Sequence, residues 1–234
     1  MSTSLSWKEF WNSEHNVYVS EKHKKVIADT QTKDFLSLVP STRPLTFLDY
    51  GCGEARMANE LVRHGITVKL FDAIPKMQQQ LLETFEGKKE IQVVTESEIR
   101  SLQPKSIDVI LVHSVLQYLS KEFVTYILPQ FHRLLSPTGV LYLSDVVTPS
   151  ASSMKDACSL LVVGRRHKFL LDVFFGLVRT FFSNYRAVKA KNGFTTYEEE
   201  EILEIVRSQG FTAVRMPKNI GISPHRMLIQ AIKS

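Results

Sequence analysis

Between Leu45 and Ser144 the chain alternates short apolar runs with segments of helical period, and this alternation most restricts what it can fold into. Leu45-Thr-Phe-Leu48, closed by Asp49 and Gly51, has the length and flanks of a buried strand. Helix (Glu54–His64), strand (Thr67–Phe71), helix (Pro75–Phe85) and strand (Ile91–Thr95) follow, with Gly65 and Gly87 at the joints. A strand at Asp108–His113, a helix at Lys121–Leu135 and a strand at Val140–Ser144 complete the series, with Pro137-Thr-Gly139 as the last turn. Strands separated by helices of about ten residues join through right-handed crossovers. The pattern therefore predicts an α/β fold with a doubly wound, mostly parallel sheet.

The flanks break the alternation. Residues 5–39 read as helical, with Phe10, Trp11, Val26, Ile27, Phe35, Leu36 and Val39 among charges and a break near Asn12-Ser13 and Asn16. Residues 147–194 hold no βα unit but a Phe-rich helical stretch, Phe169 to Phe182. Thr195 and Glu198 fit a capping box for a helix over 196–209, and strands at Thr212–Arg215 and Met227–Ile232 close the chain. At 234 residues and 44% hydrophobic, this reads as one domain over 1–234: a helical cap (1–40), a core (45–146), a helical insertion (147–194) and a closing helix with a strand pair (195–234). Two cysteines, Cys52 and Cys158, with no C-x-x-C spacing, exclude a disulfide framework and point to a reduced setting. No run approaches the ~20 apolar residues of a membrane span, and the start lacks a secretory signal, so a soluble cytoplasmic protein is expected. His, Cys and carboxylates are not spaced as metal ligands, so no metal is expected.

Asp49-Tyr-Gly51-Cys-Gly53-Glu-Ala55 lies between a predicted strand and helix. Glycines there let the backbone turn sharply and meet a ligand without a Cβ in the way. Asp72, 21 residues after Gly51, ends the next strand, where a carboxylate accepts both hydroxyls of a ribose. The set points to an adenosine cofactor. Arg56 stands where a dinucleotide fingerprint needs its third glycine, which disfavours NAD and FAD, and there is no P-loop.

On these residues the chain resembles the class I S-adenosylmethionine-dependent methyltransferases. Asp49, Gly51 and Gly53 match the family's first motif, with Ala55 in place of its last glycine, and Asp72 matches its ribose acid. Glu96-Ser97 falls where the family often has Asp-Ala beside the adenine. Asp108 to Leu119 is similar to the fourth-strand motif, and Leu135-Ser-Pro-Thr-Gly139 to the Leu-x-Pro-Gly-Gly turn. The resemblance covers residues 45–145. It implies a Rossmann-like fold with a C-terminal antiparallel hairpin, S-adenosyl-L-methionine as cofactor and S-adenosyl-L-homocysteine as product. The implied cofactor residues are Asp49, Tyr50, Gly51, Gly53, Asp72, Ala73, Glu96, Ser97, His113 and Tyr18. A cofactor-binding protein without activity is the alternative, because one fold hosts many functions.

A sulfonium methyl is already activated, so positioning and exclusion of water supply most of the rate, and only an O–H or acid nucleophile needs a base. His113, ending the fourth strand, is the candidate base; a wall of the cofactor pocket is its other reading. His15, His23, His132 and His167 read as surface residues, whereas His225 precedes the last strand and can line the pocket. Cys52 reads as a small residue packed beside the cofactor. Trp7, Phe10, Trp11 and Tyr18 either cap the pocket or pack on the sheet edge. Between Ser150 and Gly193 eight Lys/Arg face two Asp, so this stretch exceeds the whole chain's net charge of +5. Six of the fourteen phenylalanines also lie in 147–194. That composition suits a lid over a small-molecule or lipid-like acceptor, apolar or anionic, or a peripheral membrane contact. The bland reading is a helical segment that completes the core. An RNA- or protein-modifying enzyme is the further alternative. No recognition module accompanies the basic stretch, and His113-Ser-Val-Leu stands in place of an Asn-Pro-Pro-Tyr motif, so DNA is not an expected partner.

Overall fold

Parallel strands buried on both faces must be apolar along nearly their whole length, and the two central strands here are. In the computed structural model, which describes Glu9 and residues 21–39, 44–151, 153–166 and 193–234, β1 (Leu45–Tyr50) and β4 (Ile107–His113) each have one partly accessible residue before their buried run. They lie side by side with Phe47 opposite Val109 and Asp49 opposite Leu111. β2 (Ile66–Phe71) flanks β1 on its other side, β3 (Ile91–Val93) forms the edge beyond it, and β5 (Leu135–Val146) flanks β4. All these pairings are parallel. β6 (Phe211–Met216) and β7 (Met227–Lys233) close the sheet as an antiparallel pair, giving the order β3-β2-β1-β4-β5-β7-β6. This is the expected Rossmann-like fold.

Alternate residues of each strand feed two cores. Leu48, Tyr50, Ile110, Val112 and Leu143 face one core, with α4 (Glu96–Ser101), α5 (Lys121–Leu134) and α7 (Glu199–Arg207). Phe47, Val109, Leu111 and Tyr142 face the other, with α1 (Glu21–Leu36), α2 (Ala58–Arg63) and α3 (Pro75–Thr84). By the same alternation Asp49, His113 and Ser144 fall on the α1 side of the sheet.

α1 is fixed by packing and by polar ties. Phe35 stacks tilted on Phe47 at 4.8 Å, and the Tyr142 hydroxyl donates to Leu38 O at 3.1 Å. Asp34 accepts from Lys218 and from the Gly221 N–H, the latter at 3.0 Å. At its other end Lys24 pairs with Glu54 at 2.8 Å and Arg56 with Glu21 at 3.0 Å. One helix thus bridges the glycine-rich loop after β1 and the loop between β6 and β7.

Several elements depart from the sequence reading. The helix expected from Glu54 begins at Ala58, because Gly51, Gly53 and Ala55 all have left-handed φ (81°, 53° and 47°) that no helix tolerates. β5 starts at Leu135 rather than Val140. Leu135 pairs with Ile107, the register shifts, and Val140 pairs with Val109, so the Pro-Thr-Gly stretch lies within the strand. The closing helix is capped by Glu198, whose partner in the capping box is Glu201, not by Thr195. The Thr195 hydroxyl donates instead to Leu119 O at 2.6 Å, a tertiary contact that wins over the local cap. His23, read as a surface residue, is 4% exposed on the buried side of α1. Within the insertion the described residues 153–166 form a helix, α6 (Ser153–Arg166). Tyr18, the other N-terminal aromatics, His15, His167 and Phe169–Phe182 lie outside the described residues. Among the described residues no helix is long and apolar enough to cross a membrane.

Candidate cofactor and acceptor site

β1 ends by handing two N–H groups to one carbonyl: those of Gly51 and Cys52 both donate to Phe71 O, at 2.7 and 3.0 Å. Gly51 has to be glycine for two reasons. Its φ is +81°, and a Cβ there would clash with Val115 Cγ2, the end of a stiff β-branched side chain on the turn after β4. Gly53 has φ +53° and nothing within 4 Å of the place its Cβ would take, so the loop has an open side at that point. Its N–H donates to Asp72 Oδ2 at 2.9 Å, and Asp72 Oδ1 accepts the N–H of Ile74 at 2.9 Å. Each carboxylate oxygen keeps a lone pair, so Asp72 can hold the loop and still accept two ribose hydroxyls. Ala55, where a glycine was the family's pattern, adopts φ +47° with its methyl buried. That conformation costs roughly 1 to 2 kcal/mol for an L-residue, partly offset by burial of the methyl.

The remaining sequence candidates are spread along the same carboxyl edge. Ala73 is exposed beside Asp72. Glu96 and Ser97 occupy the exposed first turn of α4, whose N-cap Thr95 forms a reciprocal box with Glu98. Glu96 pairs with Arg100 at 2.6 Å, and Ser97 Oγ is 3.0 Å from Thr95 Oγ1. The Tyr50 ring turns into the core against Phe71 and Phe131, at 4.7 and 5.1 Å, which leaves its main chain for the loop.

The loop sits in a negative field. Asp49 and Asp72 are both buried. Burial, then the charge of Asp72, pushes the Asp49 carboxyl up to about 7. Burial raises Asp72 as well, opposed by the N–H groups of Ile74 and Gly53. The Cys52 thiol is pushed up by burial and by both carboxylates, which keeps it protonated and poorly nucleophilic.

His113 ends β4 inside a hydrogen-bonded cluster the sequence did not reveal. Its Nε2 lies 2.8 Å from Gln31 Nε2 of α1, and its Nδ1 lies 3.0 Å from Ser144 Oγ at the end of β5. Burial lowers its pKa, with Asp145 opposing and Arg226 adding to the fall, so the ring is neutral at pH 7. Beyond Ser144, Asn219 from the β6–β7 loop and the buried Asp145–Arg226 pair, at 2.9 Å, complete the cluster. Ser114 donates to Asp145. Ser114 and Asp145 both have left-handed φ, 56° and 62°, at the ends of adjacent strands, a conformation that costs an L-residue energy. Ser144 and Asp145 could have been found from the rule that ligands meet the carboxyl ends of parallel strands. Gln31, Asn219 and Arg226 carry no local signal.

Residues 48–143 match the family model described as a methyltransferase domain. No curated protein sequence matches the chain significantly. Among solved structures it is similar to phosphoethanolamine N-methyltransferase 2 of Haemonchus contortus (17% identity, 80% of this chain and 38% of that one, TM-score 0.54). It is also similar to a SAM-dependent methyltransferase of Leishmania major (11%, 96% and 80%, 0.58). A third is the magnesium protoporphyrin IX methyltransferase of Synechocystis PCC 6803 (16%, 96% and 91%, 0.54). At these identities the likeness is one of fold, and the chain spans less than two fifths of the Haemonchus enzyme.

The buried acid pair has a consequence for stability. A carboxyl raised to about 7 in the folded state binds its proton more tightly there than in the unfolded chain, so stability falls as pH rises from about 4 to 7. Asp49→Asn removes that loss. Urea unfolding should show the variant about 2 to 4 kcal/mol more stable than wild type at pH 8, with the gap closing near pH 4. A variant less stable than wild type at pH 8 would contradict this.

Proposed function

We propose that this chain, a class I S-adenosylmethionine-dependent methyltransferase, methylates a small-molecule or lipid-like acceptor held over the carboxyl ends of β4 and β5. The observation that carries the reading is the clasp between Asp72 and the Gly53 N–H, with the open side of Gly53 next to it, inside the stretch that matches the methyltransferase domain. Asp72 would accept the ribose hydroxyls, Glu96 and Ser97 would flank the adenine, and the charges of Asp49 and Asp72 favour a cationic ligand. When bound, S-adenosylmethionine supplies a methyl group already activated by its sulfonium charge. The chain's task is then to position the acceptor and exclude water. Gly51 and Gly53 bring main chain close to the cofactor, α1 covers the α1 side of the sheet, and His113 Nε2 takes a proton where the acceptor has one to lose.

Three observations support a small acceptor. The Haemonchus structure holds phosphomonomethylethanolamine, and the Synechocystis enzyme is named for magnesium protoporphyrin IX. The basic, Phe-rich stretch follows directly on the strand whose end bears Ser144 and Asp145. Within it, α6 exposes Cys158, Leu161, Val162 and Arg165 at i, i+3, i+4 and i+7, an apolar stripe ending in a cation. Such a stripe suits an apolar or anionic acceptor, or the lipid surface that carries one.

Calorimetry tests the cofactor. S-adenosylhomocysteine should bind wild type, and Asp72→Ala should bind it more weakly by roughly 1.5 to 3 kcal/mol, the range for hydrogen bonds to a charged group. Stability is measured alongside, because the same change frees the Gly53 and Ile74 N–H groups. Binding of NAD without S-adenosylhomocysteine would overturn the assignment. Once an acceptor is in hand, His113→Asn should lower kcat by a factor of roughly 100 or more with S-adenosylhomocysteine affinity kept. Wild-type activity should fall on the acid side, below the ordinary imidazole range, and that fall should vanish in the variant. Unchanged turnover would leave His113 as a pocket wall. In the same assay Arg165→Glu should raise the acceptor KM, or weaken binding to anionic vesicles, with cofactor affinity intact. No change in either would remove α6 from the acceptor side.

A further inference from the structure

The cluster around His113 can be read proton by proton, beginning where main chain fixes it. The N–H of Asp145 donates to Asn219 Oδ1 at 3.0 Å, which settles the end of the amide that is oxygen. Asn219 Nδ2 then donates to Asp145 Oδ1 at 3.3 Å and to Ser223 O at 3.1 Å. Ser144 Oγ is 3.1 Å from the same Asn219 Oδ1, an atom that only accepts, so the hydroxyl's single proton is directed there. Ser144 Oγ can then only accept along its 3.0 Å contact with His113, so Nδ1 carries the ring proton. A neutral imidazole has one such proton, which leaves Nε2 as an acceptor. The opposite end is consistent with this: the amide nitrogen of Gln31, which only donates, lies 2.8 Å from Nε2.

We propose that Asn219, acting through the Ser144 hydroxyl, is a positioning residue that fixes His113 as its Nδ1–H tautomer and keeps Nε2 as the proton acceptor. The proposal rests on the reading of His113 Nε2 as the atom that meets the acceptor. It narrows the substrate class to acceptors with an O–H or N–H at the methylated atom, which would take the place of the Gln31 amide on Nε2. Asn219 and Ser144 are almost wholly buried (3% and 1% exposed), so water does not substitute for either. Asp145, in turn, is held by Arg226 and Ser114, so the order reaches Nδ1 from a fixed ion pair.

Histidine labelled with 15N in the full chain reports the tautomer directly, through correlation of each ring nitrogen with the ring carbon-bound protons. His113 is assigned by the signals lost in His113→Asn. Wild type should show one dominant form, with Nδ1 protonated and Nε2 bare. In Asn219→Leu the Ser144 hydroxyl loses its acceptor and can turn to donate to Nδ1 while the Gln31 amide turns its oxygen to Nε2, so the spectrum should become a mixture of both tautomers. Should Asn219→Leu fail to fold, Ser144→Ala, which removes one hydroxyl, should give the same mixture with S-adenosylhomocysteine binding kept. A wild type with Nε2 protonated, or a variant that keeps the wild-type tautomer, overturns the proposal. A His113→Asn enzyme that still transfers methyl groups would remove the base reading and leave the tautomer result standing, so the two fail separately.

Discussion

The site depends on the register of β1 against β2. Tyr50 lies opposite Phe71, and the next two N–H groups, of Gly51 and Cys52, both reach Phe71 O. The residue after Phe71 is Asp72, whose carboxylate then takes the Gly53 N–H. A slip of one residue would turn every side chain of β1 to the opposite face. Asp49 would leave the α1 side, and the glycine turn would lose both its carbonyl and its acid. The steric limit at Gly51 ties the same turn to β4, because Val115 on the turn after β4 stands against it. Three carboxyl ends are thereby held together before any ligand contributes.

That frame was legible in the sequence because each part of it is local. Strand runs such as Leu45-Thr-Phe-Leu48, the helix breaks at Gly65 and Gly87, and the spacing from Gly51 to Asp72 need no knowledge of distant partners. The errors arose where a distant partner overrode a local preference. Thr195 has the local pattern of a cap, yet its hydroxyl serves Leu119 O, and Glu198 caps the helix three residues later. Pro137-Thr-Gly139 has the composition of a turn, yet pairing with β4 draws Leu135 into the strand before the register shifts. Ala55 gave no warning that it would take a left-handed φ.

The His113 cluster was illegible for the same reason carried further. Its members, Gln31, Ser144, Asn219 and Arg226, come from a cap helix, a strand end and a loop between the two closing strands. Spacing along the chain does not encode that meeting. What brings it about is the seating of α1: Phe35 on Phe47, Asp34 on the Gly221 N–H, and Tyr142 on Leu38 O. Each of these is a packing or main-chain contact without a motif. A sequence reading finds the histidine but not what decides the state of its ring.

The two halves of the edge differ in electrostatic design, and the difference bears on how the proposed transfer would work. At β5 a buried carboxylate, Asp145, is matched by Arg226, so the region keeps its shape without a ligand. At β1 and β2 two carboxylates are buried, and burial, then the charge of Asp72, pushes Asp49 up to about 7. A cation there would lower the Asp49 pKa and add stability. Methyl transfer removes the sulfonium charge, so under the proposed reading this field would hold the reactant cofactor more tightly than the product. Tighter binding of the reactant does not speed the chemical step, because only interactions that strengthen in the transition state do so. On the proposed reading the acid pair would favour the charged cofactor, and acceleration would come from positioning and from the other half of the edge. There the ring of His113, held between Gln31 and Ser144, is the group that would act on the acceptor in the proposed reaction.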